Sequence, residues 1–179
     1  MRAARESIAL DAISSWWRRF PAILALGLTA VLGPGVATAQ DARTIAITPF
    51  SFSDTSGEVD DQSAVHQARL HRFMDVLQAS LQKTGHYHVI SLTCASDPCA
   101  ATPGEGTDLL EAARKSGATL LVLGGIHKMT SLVIFMKADV YKVATNRPVL
   151  SKLYTFRGDN DEAWVRGAEF LATEINAHS

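Results

Sequence analysis

Two histidines in one short stretch of the sequence could supply ligands for a metal ion. His86 and His88 are two positions apart, so in an extended strand both side chains project from the same face. Imidazole is a common ligand of Zn²⁺ and Cu²⁺, but such a site needs a third ligand, and no second ligand pair is evident. Two interpretations therefore stay open: a metal-binding pair, and histidines that face solvent or pack against neighbours.

The two cysteines of the chain, Cys94 and Cys99, lie a few residues further on. In an oxidising compartment, cysteines this close most simply form a local disulfide, which would restrain the unfolded chain by roughly 2 kcal/mol. The C-x-x-C spacing of redox motifs is absent, and Pro98 stiffens the loop. The spacing predicts a structural disulfide, with a metal site or a redox-active pair as the alternatives.

Sequence signatures of catalysis are absent. Residues 51–57 stand where a phosphate-binding loop would lie, but they contain one glycine and precede acidic residues that repel an anion. Neither a G-x-S-x-G elbow nor an H-E-x-x-H helix occurs. The carboxylates of Asp159, Asp161 and Glu162 are explained by a helix N-terminus without any chemistry. We therefore predict a protein that is not an enzyme and that needs no cofactor.

The first 39 residues are predicted to be a secretory signal peptide. Four arginines precede an apolar run over residues 20–32, and an A-x-A pattern ends at Ala39. The run has about thirteen residues, against roughly twenty for a membrane-spanning helix. We expect cleavage near Ala39, general secretion rather than twin-arginine export, and a periplasmic or secreted mature protein without a stable membrane anchor.

The charge balance argues against a nucleic-acid partner. The predicted signal peptide holds four of the 17 basic and two of the 18 acidic residues, so its removal changes the formal net charge from -1 to -3. Nucleic-acid binding usually leaves a basic footprint, which is missing. Residues 40–179 are enough for one domain with its own core.

Hydrophobic periodicity predicts a single α/β domain with the element order β-α-β-α-β-β-β-α. Two strand-helix-strand units followed by a hairpin favour a mixed sheet, parallel early and antiparallel late. The Gly124–Gly125 pair marks either a bulge or a close backbone approach. Strands are predicted over residues 43–50, 86–92, 118–126, 132–143 and 148–156, helices over 63–84, 107–116 and from within 158–162 onward, and a polar loop over 51–57. The apolar residues of the first helix are Val65, Leu70, Phe73, Met74, Leu77 and Leu81.

The predicted hairpin offers a candidate protein-contact surface. If alternate residues of its first strand face the core, Phe135 and Tyr141 point the other way, and Tyr154 and Phe156 of its second strand line up across from them. Aromatic side chains interleaved with mixed charges are typical of a surface that contacts another protein. The alternative is that a helix covers this face of the sheet.

Several segments resemble the amino-terminal domain of TolB: residues 45–50 with 54–57, residues 117–125, and the hairpin with its turn at 144–146. Related α/β modules occur in bacterial envelope proteins of the curli-secretion and penicillin-binding-protein-activator type. Residues 156–164 are also similar to a small secreted bacterial family of unknown function. The resemblance implies a TolB-like fold and protein binding in the cell envelope, and it transfers no catalytic residue.

The sequence thus predicts a non-enzymatic periplasmic accessory or protein-binding module of the cell envelope, with an unidentified envelope protein as its partner. The alternative is a small periplasmic metal-binding or thiol-linked carrier that uses His86, His88 and the cysteine loop.

Overall fold

The computed structural model describes residues 42–92 and 106–179. The predicted signal peptide and both cysteines, Cys94 and Cys99, lie outside the described residues. The strands are β1 (Arg43–Ile47), β2 (Ser51–Asp54), β3 (Tyr87–Ser91), β4 (Leu120–Lys128), β5 (Val133–Lys142) and β6 (Arg147–Arg157). The helices are α1 (Ser63–Lys83), α2 (Gly106–Lys115) and α3 (Asp161–His178). No helix in these two ranges is long and apolar enough to cross a membrane.

The strands form one mixed sheet in the order β3-β1-β4-β5-β6, with β2 also paired to β4. β1 runs parallel to β3 and β4, whereas β5 runs antiparallel to β4 and β6. The predicted mixed α/β fold is therefore confirmed. Parallel neighbours need crossover connections, which α1 and α2 supply, while β4, β5 and β6 follow one another through short turns.

The prediction of a polar loop over residues 51–57 is wrong in its first half, because Ser51–Asp54 is strand β2. β1 pairs with only the first part of β4, up to Ile47 opposite Val122, and pairing resumes with Ser51 opposite Gly125. Ile47 and Ser51 are four positions apart in sequence, whereas their partners in β4 are three positions apart. The extra residue forms a bulge around Pro49, which has no N–H to donate to a strand pair.

Two helices cover one face of the sheet, and their apolar stripes build the main core. α1 buries Leu70, Phe73, Leu77 and Leu81, and α3 buries Trp164, Ala168, Leu171 and Ile175. The prediction that Val65 belongs to the α1 stripe is wrong: Val65 is exposed, and its neighbour His66 is buried in its place. Helical spacing explains this, because position 66 is four residues before Leu70 and shares its face.

The third helix, α2, covers part of the opposite face. Leu109, Leu110 and Ala113 of α2 pack with Leu121 and Leu123 of β4 in a second, smaller core. Val143, which directly follows β5, is buried in this core, and the half-buried Tyr141 of β5 packs at its border. The first half of β5 and the facing half of β6 lie beyond this contact.

Gly124 and Gly125 were predicted to mark either a bulge or a close backbone approach, and the structure shows a close approach. β4 pairs with β5 without a break through both glycines. A Cβ on Gly124 would lie 2.3 Å from the Phe50 ring and 2.8 Å from the carbonyl oxygen of Lys137. A Cβ on Gly125 would lie 2.4 Å from the hydroxyl of Ser51. The glycines let the chain after β1 pass close over β4.

Candidate functional site

The hairpin of β5 and β6 presents different residues on its two faces. Tyr154 and Phe156 lie on the side of α1 and α3: Tyr154 packs edge-on against Phe170 at 5.3 Å, and Phe156 packs against Trp164 at 6.3 Å. Burial and a 3.1 Å hydrogen bond from the Tyr154 hydroxyl to Glu174 raise the pKa of Tyr154 to about 12. These two aromatic residues therefore serve largely to hold α3 on the sheet.

The predicted alignment of Tyr154 and Phe156 with Phe135 and Tyr141 is wrong. Phe135 pairs with Thr155, whereas Tyr154 pairs with Met136 in the core. The cause is a register shift between Val140 and Tyr141, where β6 contains one extra residue. Because side chains alternate between faces, a shift of one residue moves every later side chain to the other face.

On the opposite side of the hairpin lies a surface that we call the open face. Its described members are Phe135, Lys137 and Asp139 of β5 and Ser151, Leu153 and Thr155 of β6. Leu153 is 62% exposed and Phe135 is half-buried. Lys137 donates hydrogen bonds to Asp139 and to the Ser151 hydroxyl, so the centre of the open face is an internally satisfied polar group.

No described helix covers the open face. The apolar residues of α2 reach only its border at Tyr141, which is half-buried. Exposed apolar side chains also occur at the adjoining turn, where Leu132 is 69% and Met129 is 48% exposed. The open face therefore has the mixture expected of a contact surface: apolar side chains around paired charges.

The structure places the two histidines of the metal hypothesis on the other edge of the sheet. His88 lies on β3 opposite Thr44, and His86 precedes the first residue of that strand; both are exposed. Within residues 42–92 and 106–179, no three His, Cys, Asp or Glu side chains are grouped as metal ligands. Because the cysteines lie outside these ranges, the proposed use of the histidines with the cysteine loop stays a prediction.

A buried ionic cluster, which the sequence did not predict, joins α1, β4 and the start of α3. Its centre is Lys128, the last residue of β4, whose side chain is fully buried. The Lys128 ammonium lies 2.6 Å from a Glu58 oxygen, 2.8 Å from Asp159 and 3.6 Å from Asp54. Three carboxylates thus surround one lysine that strand alternation directs into the core.

The carboxylate of Asp159 is saturated with hydrogen bonds. One oxygen accepts from Arg69 at 2.8 Å and from the Trp164 indole at 3.2 Å. The other lies 2.8 Å from both Lys128 and the Nε2 atom of His66. A carboxylate has about four lone-pair positions, and here all four are occupied.

Charge compensation keeps the cluster ionised. Burial by itself raises the pKa of Asp159, but hydrogen bonds from Lys128 and His66, with the charge of Arg69, outweigh it and lower the pKa to about 2. Burial likewise lowers the pKa of Lys128, but Asp159 and Glu58 outweigh it and raise the pKa. Since Asp159 carries no proton, the Nε2 atom of His66 must donate in their hydrogen bond.

Aromatic rings pack against His66 at one side of the cluster. The imidazole packs against Phe52 of β2, at 4.7 Å, and Trp164 of α3, at 6.3 Å, and these two rings also contact each other, at 5.6 Å. The cluster therefore binds three elements together, and its geometry suits a structural role. A general base needs a free lone pair near a substrate, and Asp159 offers none.

The interpretation of Asp159 as an ordinary helix-start acid is wrong. Asn160 caps α3, accepting a hydrogen bond from the Ala163 N–H at 2.9 Å, while Asp159 turns inward. Gly158, at φ 95°, makes the turn that permits this. Two features of the sequence could have indicated the cluster. His66 is four residues before Leu70 and so shares its buried helix face, and Lys128 is two residues after Ile126 and so points to the same side of β4.

His127 lies next to the last residue of β4 and is half-buried. Its Nδ1 atom is 2.7 Å from the Ser53 hydroxyl, and its Nε2 atom is 3.1 Å from the Thr55 hydroxyl. Both ring nitrogens therefore bind hydroxyl groups. A histidine that activates a catalytic serine binds that serine with one nitrogen and a carboxylate with the other, and His127 binds no carboxylate among the described residues.

Comparison with known proteins assigns a family. Residues 43–175 match the family DUF3280, described as "Protein of unknown function (DUF2380)". The chain belongs to this family. No curated protein matches the sequence. The match spans β1 to the last turns of α3 and thus includes the open face and the ionic cluster.

Solved structures that are similar to this chain include TolB from Acinetobacter baumannii, at 16% sequence identity and a TM-score of 0.50. That match covers 77% of this chain and 28% of the TolB chain. The PelC dodecamer from Paraburkholderia phytofirmans gives 14% identity, 75% and 85% coverage and a TM-score of 0.45. Lipoprotein GNA1162 from Neisseria meningitidis gives 14%, 75% and 94%, and 0.39. The predicted TolB-like fold is confirmed.

Proposed function

We propose that this protein is a non-enzymatic accessory module of the bacterial cell envelope that acts after export and binds another protein through the open face. The observation that carries the proposal is the uneven covering of the sheet. α1 and α3 cover one face of the hairpin, whereas on the other face Leu153 and its neighbours have no helix over them in the described part of the chain.

The chemistry of the open face supports a protein partner. Phe135 and Leu153 supply apolar area. Lys137 already binds Asp139 and Ser151, so these polar groups keep hydrogen-bond partners when a protein covers them, and the free-energy cost of their desolvation is small. Protein interfaces combine an apolar centre with satisfied polar groups in this way. The predicted signal peptide and the TolB-like fold support the envelope as the location.

The ionic cluster supports a role without catalysis. Its most buried carboxylate, Asp159, accepts hydrogen bonds from four donors, among them His66 and Lys128. A proton-transfer role would first break one of these bonds. We infer that the cluster makes the domain a rigid support for the open face.

The proposal is tested by capture and reconstitution. The tagged, exported protein is recovered from a periplasmic extract of its host under non-reducing conditions, and the partner is identified, purified and titrated by calorimetry. Leu153→Asp places a charge in the open face and is expected to weaken binding at least about tenfold, or ~1.4 kcal/mol. Val59→Asp is the matched control, because Val59 is fully exposed in the loop before α1.

Equal affinity of the Leu153→Asp variant and the wild type would contradict the use of the open face. Metal analysis of the same sample tests the carrier alternative. Absence of a protein partner, together with a stoichiometric transition metal lost on His88→Ala, would favour the carrier over the binding module.

A further inference from the structure

In the described part of the chain, strand β6 has an unpaired outer edge. It is the last strand of the sheet, and among the described residues only β5 pairs with it. An exposed edge can accept another strand, and proteins usually protect long edges with prolines or charges. β6 has eleven residues, Pro148 stands at its beginning, and Lys152 is the only charged residue from Ser151 to Phe156.

A groove runs along this edge, between β6 and α3. It has a volume of about 320 Å³, and its walls include Tyr154, Phe156 and the half-exposed Phe170. Gly167 of α3 lies at the groove and lacks the side chain that would narrow it: a Cβ there would lie 3.5 Å from Phe156. Glycine inside a helix costs about 1 kcal/mol relative to alanine, and this one has no unusual φ that would require it.

The charges at the groove select the occupant. Arg157 and Arg166 line it; Arg166 also forms an exposed ion pair with Glu162 one turn earlier in α3, whereas Arg157 forms no ion pair with another described residue. If a second copy paired antiparallel over the whole of β6, Lys152 would face its counterpart and Arg147 would face Arg157. Like charges directly opposite one another destabilise a strand pair. The edge therefore disfavours self-pairing and favours a strand with acidic residues.

We propose that the β6 edge and its groove accept an extended segment of a partner protein as an additional strand, with an apolar side chain in the groove and acidic side chains near Arg157 and Arg166. This inference rests on the proposed protein-binding function and specifies its partner. Side chains of an added strand alternate, so those not directed into the groove continue the open face beside Leu153.

The probe that tests this inference is a phage-displayed library of random dodecapeptides, selected on the folded protein. Enriched peptides are expected to carry an apolar residue flanked by Asp or Glu, and the synthesised peptides are titrated by fluorescence anisotropy. N-methylation of alternate peptide amides removes strand hydrogen bonds and is expected to weaken binding at least about tenfold. The same loss is expected for Gly167→Leu, which fills the groove, and for Arg166→Glu.

Arg72→Glu is the matched control for charge reversal, since Arg72 is an exposed arginine of α1 away from the groove. It is expected to leave the affinity within about twofold. Urea unfolding of each variant shows whether it is folded, and Arg166→Glu, at an exposed position, keeps the test valid if Gly167→Leu does not fold.

The inference is overturned by three results: no enriched peptide, equal binding of the N-methylated peptide, or a dimer of the wild-type protein that Gly167→Leu abolishes. The proposed function fails separately. A captured protein partner that is lost on Leu153→Asp, but retained by Gly167→Leu and Arg166→Glu, contradicts the groove alone. Absence of any protein partner contradicts both.

Discussion

At the scale of single residues, the fold depends on buried charged side chains that neutralise one another. Lys128 is fully buried with Glu58 and Asp159 at hydrogen-bond distance, and Asp159 also accepts from Arg69. A buried charge is tolerated only while its partners are present, and removal of one partner leaves the other uncompensated. The stability of the domain should therefore be most sensitive at Asp159.

Asp159→Asn is expected to lower the free energy of unfolding by about 3–5 kcal/mol, because the buried Lys128 ammonium loses a carboxylate at 2.8 Å. Asp161→Asn is the control: the Asp161 side chain is 84% exposed, although it also binds Arg69. The control should cost less than about 1 kcal/mol. Urea denaturation at pH 7 measures both, and equal losses would contradict the structural role of the cluster.

The lowered pKa of Asp159 predicts an acid-sensitive contribution to stability. Its pKa falls from 3.8 to about 2 on folding, which corresponds to roughly 2 kcal/mol at neutral pH. Since the pKa is lower in the folded state, this contribution is complete above about pH 4 and is lost as the pH falls toward 2. Carboxyl-carbon NMR shifts measure the titration directly, and a midpoint near 3.8 would contradict the saturated carboxylate.

At the scale of elements, the sequence predicted where strands and helices lie but not which faces meet. Strong periodicity located α1 and α3, and apart from the first strand the bounds of the predicted elements lie within two residues of those observed. β2 was missed because its residues are mostly polar. It is a strand because it pairs with the second half of β4, which β1 does not reach.

The face of Tyr154 could not be predicted for a different reason. Counted back from the Lys142–Arg147 pair without a bulge, Tyr154 would face Phe135, as the sequence interpretation had it. The extra residue in β6 changes this pairing, and nothing in the local composition marks its position. Likewise, Lys128 and Asp159 are 31 residues apart in sequence, so their contact follows only from the assembled sheet and α3.

A test at the element scale concerns the close passage of the chain after β1 over β4. Gly124→Ala forces a methyl group against the Phe50 ring and the Lys137 carbonyl, and should lower the free energy of unfolding by about 1–3 kcal/mol. Gly167→Ala adds the same methyl at ordinary contact distance within a helix, and should raise it by about 0.5–1 kcal/mol. Thermal and urea unfolding distinguish the two; a stabilising Gly124→Ala would contradict the close approach.

At the scale of the whole molecule, the described domain has one well-covered side and one incompletely covered side. α1, α3 and the ionic cluster fix the first, the open face belongs to the second, and the β6 edge lies between the two. A rigid sheet that presents exposed Leu153 next to an unpaired edge is suited to binding another chain. This arrangement, rather than any catalytic group, is the basis of the proposed function.

The most direct test is site-specific photo-crosslinking in living cells, with a photoreactive amino acid at position 153 of the full chain. We predict an adduct with a discrete envelope protein from position 153, and none with that protein from position 59 in the loop before α1. The absence of an adduct from position 153, or the same adduct from both positions, would contradict binding through the open face.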